Sequence, residues 1–202
     1  MQKDIHNKKN VYTEKTLHYL VLASLILFIW LLVWALVFKL CDETMVVRNY
    51  VNLSQMTVIE RLQWDLIPFN YRGTEHYQGL QKITTVLNCF ILVPFGVMFQ
   101  YLFKKKRILK GALLSFAFIL FVELTQLSTT LGNFATEDFI TNMISYFVGV
   151  EIYYLIIKRF SLKNSIRLFA LSTTVCAVMT VYSIWTYIDF GDTLIKILTK
   201  TY

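Results

Sequence analysis

Five apolar runs leave this chain few ways to fold: Tyr19–Leu40, Thr84–Phe103, Gly111–Leu127, Phe139–Ile157 and Leu168–Tyr187. A helix needs roughly 17–25 apolar residues to cross a bilayer, and each run fits that range. The third is the shortest, at about 17 residues, the low end of what can span. The expected fold class is therefore all-α, a polytopic membrane protein with five transmembrane helices. Composition agrees. Of 202 residues 56% are hydrophobic and 16% charged, too apolar for a soluble domain of this size. The first run exceeds the roughly 7–15 residues of a cleavable signal core and no small-x-small site follows it, so it reads as a retained anchor.

Charge distribution predicts the orientation. Lys3, Lys8, Lys9 and Lys15 precede the first run; Lys104, Lys105, Lys106, Arg107 and Lys110 lie between the second and third; Lys158, Arg159, Lys163 and Arg167 lie between the fourth and fifth. The alternate connections are acidic or mixed, with Asp42, Glu43, Glu60, Asp65 and Glu75 before the second run and Glu137 and Asp138 before the fourth. The positive-inside rule then predicts a cytoplasmic N-terminus and an external C-terminus. The domain plan is a basic tail over 1–18, an external loop over 41–83 and an external tail over 188–202. Basic clusters beside helix ends argue for membrane topology and against nucleic acid as a partner.

The 41–83 loop is long for a connector. Leu53, Met56, Val58, Ile59, Leu62, Leu66 and Ile67 recur at roughly helical spacing, which predicts an amphipathic helix on the outer surface, ended by Pro68. Pro94 is expected to kink the second span, and Gly149 to allow close helix approach in the fourth. Trp34 suits an aromatic belt. Cys41, Cys89 and Cys176 have no CxxC spacing, and His6, His18 and His76 are scattered. No metal site or other cofactor is expected.

The polar residues inside the spans carry the functional signal. An ionisable group there costs about 2.5–3.5 kcal/mol on insertion scales. Glu123 lies about 18 Å along the third span, in its outer half, with Gln126 on the same face one turn on. Asp138 opens the fourth span and Asn142 is about 6 Å deeper on the same face; Asn88 is about 6 Å down the second. These five residues come from three helices and share a depth. A polar cluster near the outer leaflet follows if their faces meet. Interhelical hydrogen bonding alone could account for the two asparagines, and the helix dipole for Asp138. Glu123 is the least easily explained that way. Glu151 is a separate acid nearer the cytoplasmic half, with no assigned role.

The same residues carry a resemblance. LIPF at Leu66–Phe69, N-x5-PFG from Asn88 to Gly96, VELTQ at Val122–Gln126, and EDFITNMISYFVG from Glu137 to Gly149 occur in an order similar to that of the VanZ-like family. The resembling core covers about residues 60–157. It implies a multi-span protein of the bacterial cell membrane, associated with low-level resistance to teicoplanin. The implied partners are membrane lipid and either a lipid-linked peptidoglycan precursor or the lipoglycopeptide itself. There are departures from the pattern. Asp65 stands where the family usually has Asn, Ser145 where a Gly is usual, and in the turn before the fourth span the expected Arg after Gly132 is missing and only Glu137 and Asp138 remain of a run of aspartates. An acid–cation pairing would then need another cation, with Arg61, Arg72 and Lys82 as candidates. The candidate site is thus Asp65, Asn88, Glu123, Gln126, Asp138 and Asn142.

Three functions fit these residues. The cluster lacks a nucleophile–base pair, which favours a binding protein over an enzyme. An intramembrane enzyme acting on a lipid-linked substrate would use Glu123 and Asp138 as an acid/base pair. A small proton-coupled transporter would use Glu123 and the kinked second span, although the chain has no internal repeat.

Overall fold

The computed structural model describes residues 2–60, 66–71, 75–103, 105–132 and 134–199. It is 85% helical, with no strand among the described residues. The helices are α1 (Gln2–Leu36), α2 (Glu43–Ser54), α3 (Glu75–Ile91), α4 (Val93–Leu102), α5 (Arg107–Thr129), α6 (Thr136–Leu155) and α7 (Leu162–Thr199). Five stretches are long and apolar enough to cross a membrane: Thr13–Leu36, Gln81–Leu102, Arg107–Thr129, Thr136–Arg159 and Leu162–Asp192.

α6 sits at the centre of the bundle. It packs on α3, α4 and α5; α1 packs on α4 and, most extensively, on α7. The α4–α6 crossing is the closest. A Cβ on Gly96 would fall on the Tyr146 carbonyl oxygen, and one on Gly149 on the Val93 carbonyl oxygen. Only hydrogen side chains let these backbones meet. The α1–α7 seam uses small polar groups instead. Ser24 and Thr173 hydroxyls are 2.7 Å apart, and Trp30 Nε1 donates to Ser183 Oγ at 2.7 Å.

The second span breaks where Pro94 predicts. Leu92 leaves helical geometry (φ −98°, ψ 8°) between α3 and α4. Its backbone N–H, fully buried, donates to Ser145 Oγ at 2.7 Å. The serine that departs from the family pattern therefore satisfies a group exposed by the break. In the Ser145→Ala variant that N–H loses its partner, and thermal stability is expected to fall by about 1–3 kcal/mol. An unchanged unfolding midpoint in detergent would show that the bond contributes nothing.

Several boundaries differ from expectation. α1 ends at Leu36, and Lys39–Cys41 form a separate 3-10 turn. The third span gains its basic first turn, from Arg107, and runs on to Thr129, giving 23 residues. α7 continues through the expected external tail to Thr199. In the long loop, regular helix forms earlier than expected, over Glu43–Ser54. Residues 58–60 are helical, while 61–65, including Leu62, lie outside the described residues. Val46 of α2 packs with Leu131 and Phe190, which ties this helix to the bundle. Trp34 is no belt residue: it is buried, edge-on to Tyr182 at 6.1 Å. Glu151 lies on the exposed face of α6.

Candidate functional site

The end of the bundle opposite the Arg107 and Lys158–Arg159 turns contains a cavity of about 70 Å³. Asn88, Glu123, Gln126, Asp138 and Asn142 all line it. Glu123 is 2% exposed and Asn142 5%. Leu92, Phe118, Ile119 and Val122 form an apolar floor beneath them.

The helices place these groups through their termini. α6 begins at Thr136, so Asp138 is in its first turn, where the dipole favours an acid. Asn88 Nδ2 donates to Asp138 Oδ1 at 2.6 Å, joining α3 to α6. Asn142 Nδ2 donates to the Asp138 carbonyl oxygen at 2.7 Å. This bond fixes the amide orientation, and the buried Oδ1 of Asn142 then has no partner. Glu123 Oε2 accepts from the Ala135 N–H at 3.0 Å, tying α5 to the turn before α6.

Gln126 acts at longer range. Its Nε2 donates to the carbonyl oxygen of Leu36, the last residue of α1, at 2.8 Å. A helix end leaves such carbonyls without intrahelical partners. Gly132 makes the arrangement possible, since a Cβ there would stand 2.5 Å from Gln126 Oε1. The anchored end of α1 leads straight into Lys39–Cys41. Lys39, Leu40 and Cys41 all have positive φ, at 51°, 60° and 59°. Left-handed backbone costs an L-residue about 1–2 kcal/mol, so three in succession store strain. Cys41 N–H to Phe38 O at 2.8 Å and Asp42 N–H to Lys39 O at 3.2 Å close the turn.

That turn brings Lys39 to the cavity wall, facing Asp138 and Glu123. Burial pulls its ammonium below the ordinary lysine value, and the attraction of Asp138 and then Glu123 opposes this. Lys39 is the cation that the sequence reading missed. Its signal was a lone lysine at the non-basic end of the first span, against the charge asymmetry of the other connections.

Of the cations expected from the sequence, Lys82 is placed elsewhere. Lys82 Nζ lies 5.8 Å from the Tyr71 ring centroid and is not part of the cavity wall. Arg61, Arg72 and Asp65 lie outside the described residues. Next in sequence to the wall residue Asp138, Glu137 accepts from the Phe69 N–H at 2.9 Å and from the Thr85 hydroxyl at 2.7 Å. The Tyr71 hydroxyl donates to Thr85 at 3.2 Å. The four sequence blocks thus converge. Phe69 of LIPF is tied to Glu137, the Asn88 block and VELTQ supply wall residues, and EDFITNMISYFVG supplies Glu137, wall residues and the Gly149 crossing.

No solved structure matches the chain. Protein VanZ of Enterococcus faecium is 29% identical over 144 residues, covering 69% of this chain and 77% of its own length. The pattern of the VanZ/LLP1 family matches residues 19–158, from the first span through the end of the fourth. A match over most of the chain makes this protein a member of the VanZ/LLP1 family.

Proposed function

We propose that this protein sits in the bacterial cell membrane with its polar cavity towards the outer leaflet, and lowers susceptibility to teicoplanin or a related lipoglycopeptide. The cavity would do so by holding a headgroup of a lipid-linked precursor or of the lipid-tailed antibiotic. The observation that carries this reading is the meeting of Glu123, Asp138 and Lys39, with three carboxamides, around one cavity. Charges at this depth are costly, and their concentration in a cavity instead of a packed seam supports a role in binding. The basic turns at the opposite end support the outward orientation. The likeness to VanZ supports the link to teicoplanin.

The test is teicoplanin susceptibility in a host lacking the protein, with wild type and the Glu123→Gln variant at equal membrane abundance. Wild type is expected to raise the inhibitory concentration severalfold and the variant to return it to the host's own value. Equal susceptibility in all strains contradicts the proposal. One observation keeps an enzymatic reading as a second possibility: Glu123 and Asp138 share a cavity, as an acid/base pair must. Incubating purified protein with a lipid-linked precursor and looking for a mass change decides between the two.

A further inference from the structure

The bundle end opposite the cavity is built around Tyr101, near the C-terminus of α4. Its ring centroid is 5.3 Å from that of Tyr153 on α6 and 5.0 Å from that of Phe169 on α7, and its hydroxyl is 3.0 Å from Ser165 Oγ. Arg107 opens α5 and bonds back to the same place. Its Nη1 donates to the Gln100 carbonyl oxygen at 3.3 Å and to the Tyr153 hydroxyl at 3.4 Å. The ends of four helices are thereby fixed around one point. The α4–α5 and α6–α7 corners are fixed with them. Both corners are basic. Lys105 and Lys106 in the first, Lys158 and Arg159 in the second, and Lys163 and Arg167 in the first two turns of α7 are all exposed. Residues 103–111 and 156–168 contain no Asp or Glu. Of the exposed acids on neighbouring helices, Glu14 is followed at once by Lys15, and Glu151 lies about two turns before Lys158.

Apolar side chains stand out beside these cations. Ile108 and Leu109 follow Arg107 at 42% and 56% exposed, and Ile156 and Phe160 flank Lys158–Arg159 at 54% and 39%. The cations also mark the ends of the stretches able to cross a membrane, Arg107–Thr129, Thr136–Arg159 and Leu162–Asp192, which places them at the level of lipid headgroups. A soluble anion would use the charges and leave the apolar side chains in water. A phospholipid uses both, with its phosphate on the cations and its chains on the apolar groups. We propose that the two corners form one binding surface for the headgroup of an anionic phospholipid in the adjacent leaflet, the inner one in the orientation proposed above. Phosphate oxygens accept charge-assisted hydrogen bonds from Lys and Arg. A zwitterionic headgroup brings its own cation and gains less from the surface. Orientation by the positive-inside rule needs only the number of Lys and Arg in each connection. It does not need the two connections to be fixed together, as Tyr101 and Arg107 fix them. The surface is independent of the cavity and of what the cavity holds.

The experiment uses the full chain purified in a neutral detergent, at fixed pH and ionic strength, with saturable thermal stabilisation as the readout. The probes are dihexanoyl phosphatidylglycerol, dihexanoyl phosphatidylcholine and inorganic phosphate. Phosphatidylglycerol is expected to bind saturably, and the other two at least about tenfold more weakly. Lys106→Gln and Lys163→Gln, one from each corner, should each weaken phosphatidylglycerol binding by about fivefold, and the double variant should weaken it further. Both remove exposed side chains, so unfolding midpoints without lipid should match wild type. Lys82→Gln removes the same charge from an exposed position at the other end of the bundle and should leave binding unchanged. Equal binding of phosphatidylglycerol and phosphatidylcholine overturns the proposal, as does phosphate binding as tightly as phosphatidylglycerol. Equal weakening by Lys82→Gln also overturns it, and so does weakening by a variant in one corner alone.

Discussion

The Gly149→Ala variant is expected to lose about 3 kcal/mol of stability, or to fail to accumulate as a monodisperse protein. In an open helix position the same change would stabilise by up to about 1 kcal/mol, because alanine is the better helix former. The sign reverses here because the new methyl meets backbone. At Gly149 it falls on the Val93 carbonyl oxygen and at Gly96 on the Tyr146 carbonyl oxygen, and neither can rotate aside. Relief requires α4 and α6 to separate. That would carry Ser145 away from the Leu92 N–H and disturb the register between Asn88 and Asp138. Gly79 is the control, since a Cβ there meets nothing within 4 Å. Unfolding midpoints in detergent should fall for Gly149→Ala and Gly96→Ala and hold or rise for Gly79→Ala. Equal behaviour of all three would remove the crossing as the source of the close packing.

The second large effect is expected at Lys39. Removing one partner of a buried charge cluster takes a compensating charge from the others, at a cost of about 3–5 kcal/mol. Lys39→Met should lie near the lower end, because Asp138 is only half-buried while Glu123 is 2% exposed. The pairing also predicts non-additivity. Once Lys39 is gone, Glu123→Gln should recover part of the loss, giving a coupling of at least about 1 kcal/mol in a double-mutant cycle. Additive losses would show that Lys39 and Glu123 do not interact.

Much of this arrangement is legible in the sequence because membrane segments obey few rules. Length and apolarity set the five spans. The period of the helix puts Glu123 with Gln126 and Asp138 with Asn142, and depth along antiparallel helices brings them together with Asn88. Pro94 marks its own break. What escapes has a local or tertiary cause. Lys39 reaches the cavity through three successive left-handed residues, none of them glycine, and no propensity signals such a turn. It is held there by Gln126, ninety residues on in the chain, capping Leu36. Ser145 looks like a plain substitution until the Leu92 N–H is seen to need an acceptor. Trp34 fits an interfacial belt by position alone, yet α7 covers it through Tyr182. The helix over Glu43–Ser54 has a weak apolar face that becomes meaningful only when Val46 meets Leu131 and Phe190.

The central claim is that a polar cavity open to the outside is built around the Lys39 turn. The most direct test places a single thiol there, as Lys39→Cys with Cys41, Cys89 and Cys176 changed to serine, in intact cells. A membrane-impermeant thiol reagent is added from outside. The account predicts labelling without permeabilisation. Labelling only after permeabilisation would contradict it.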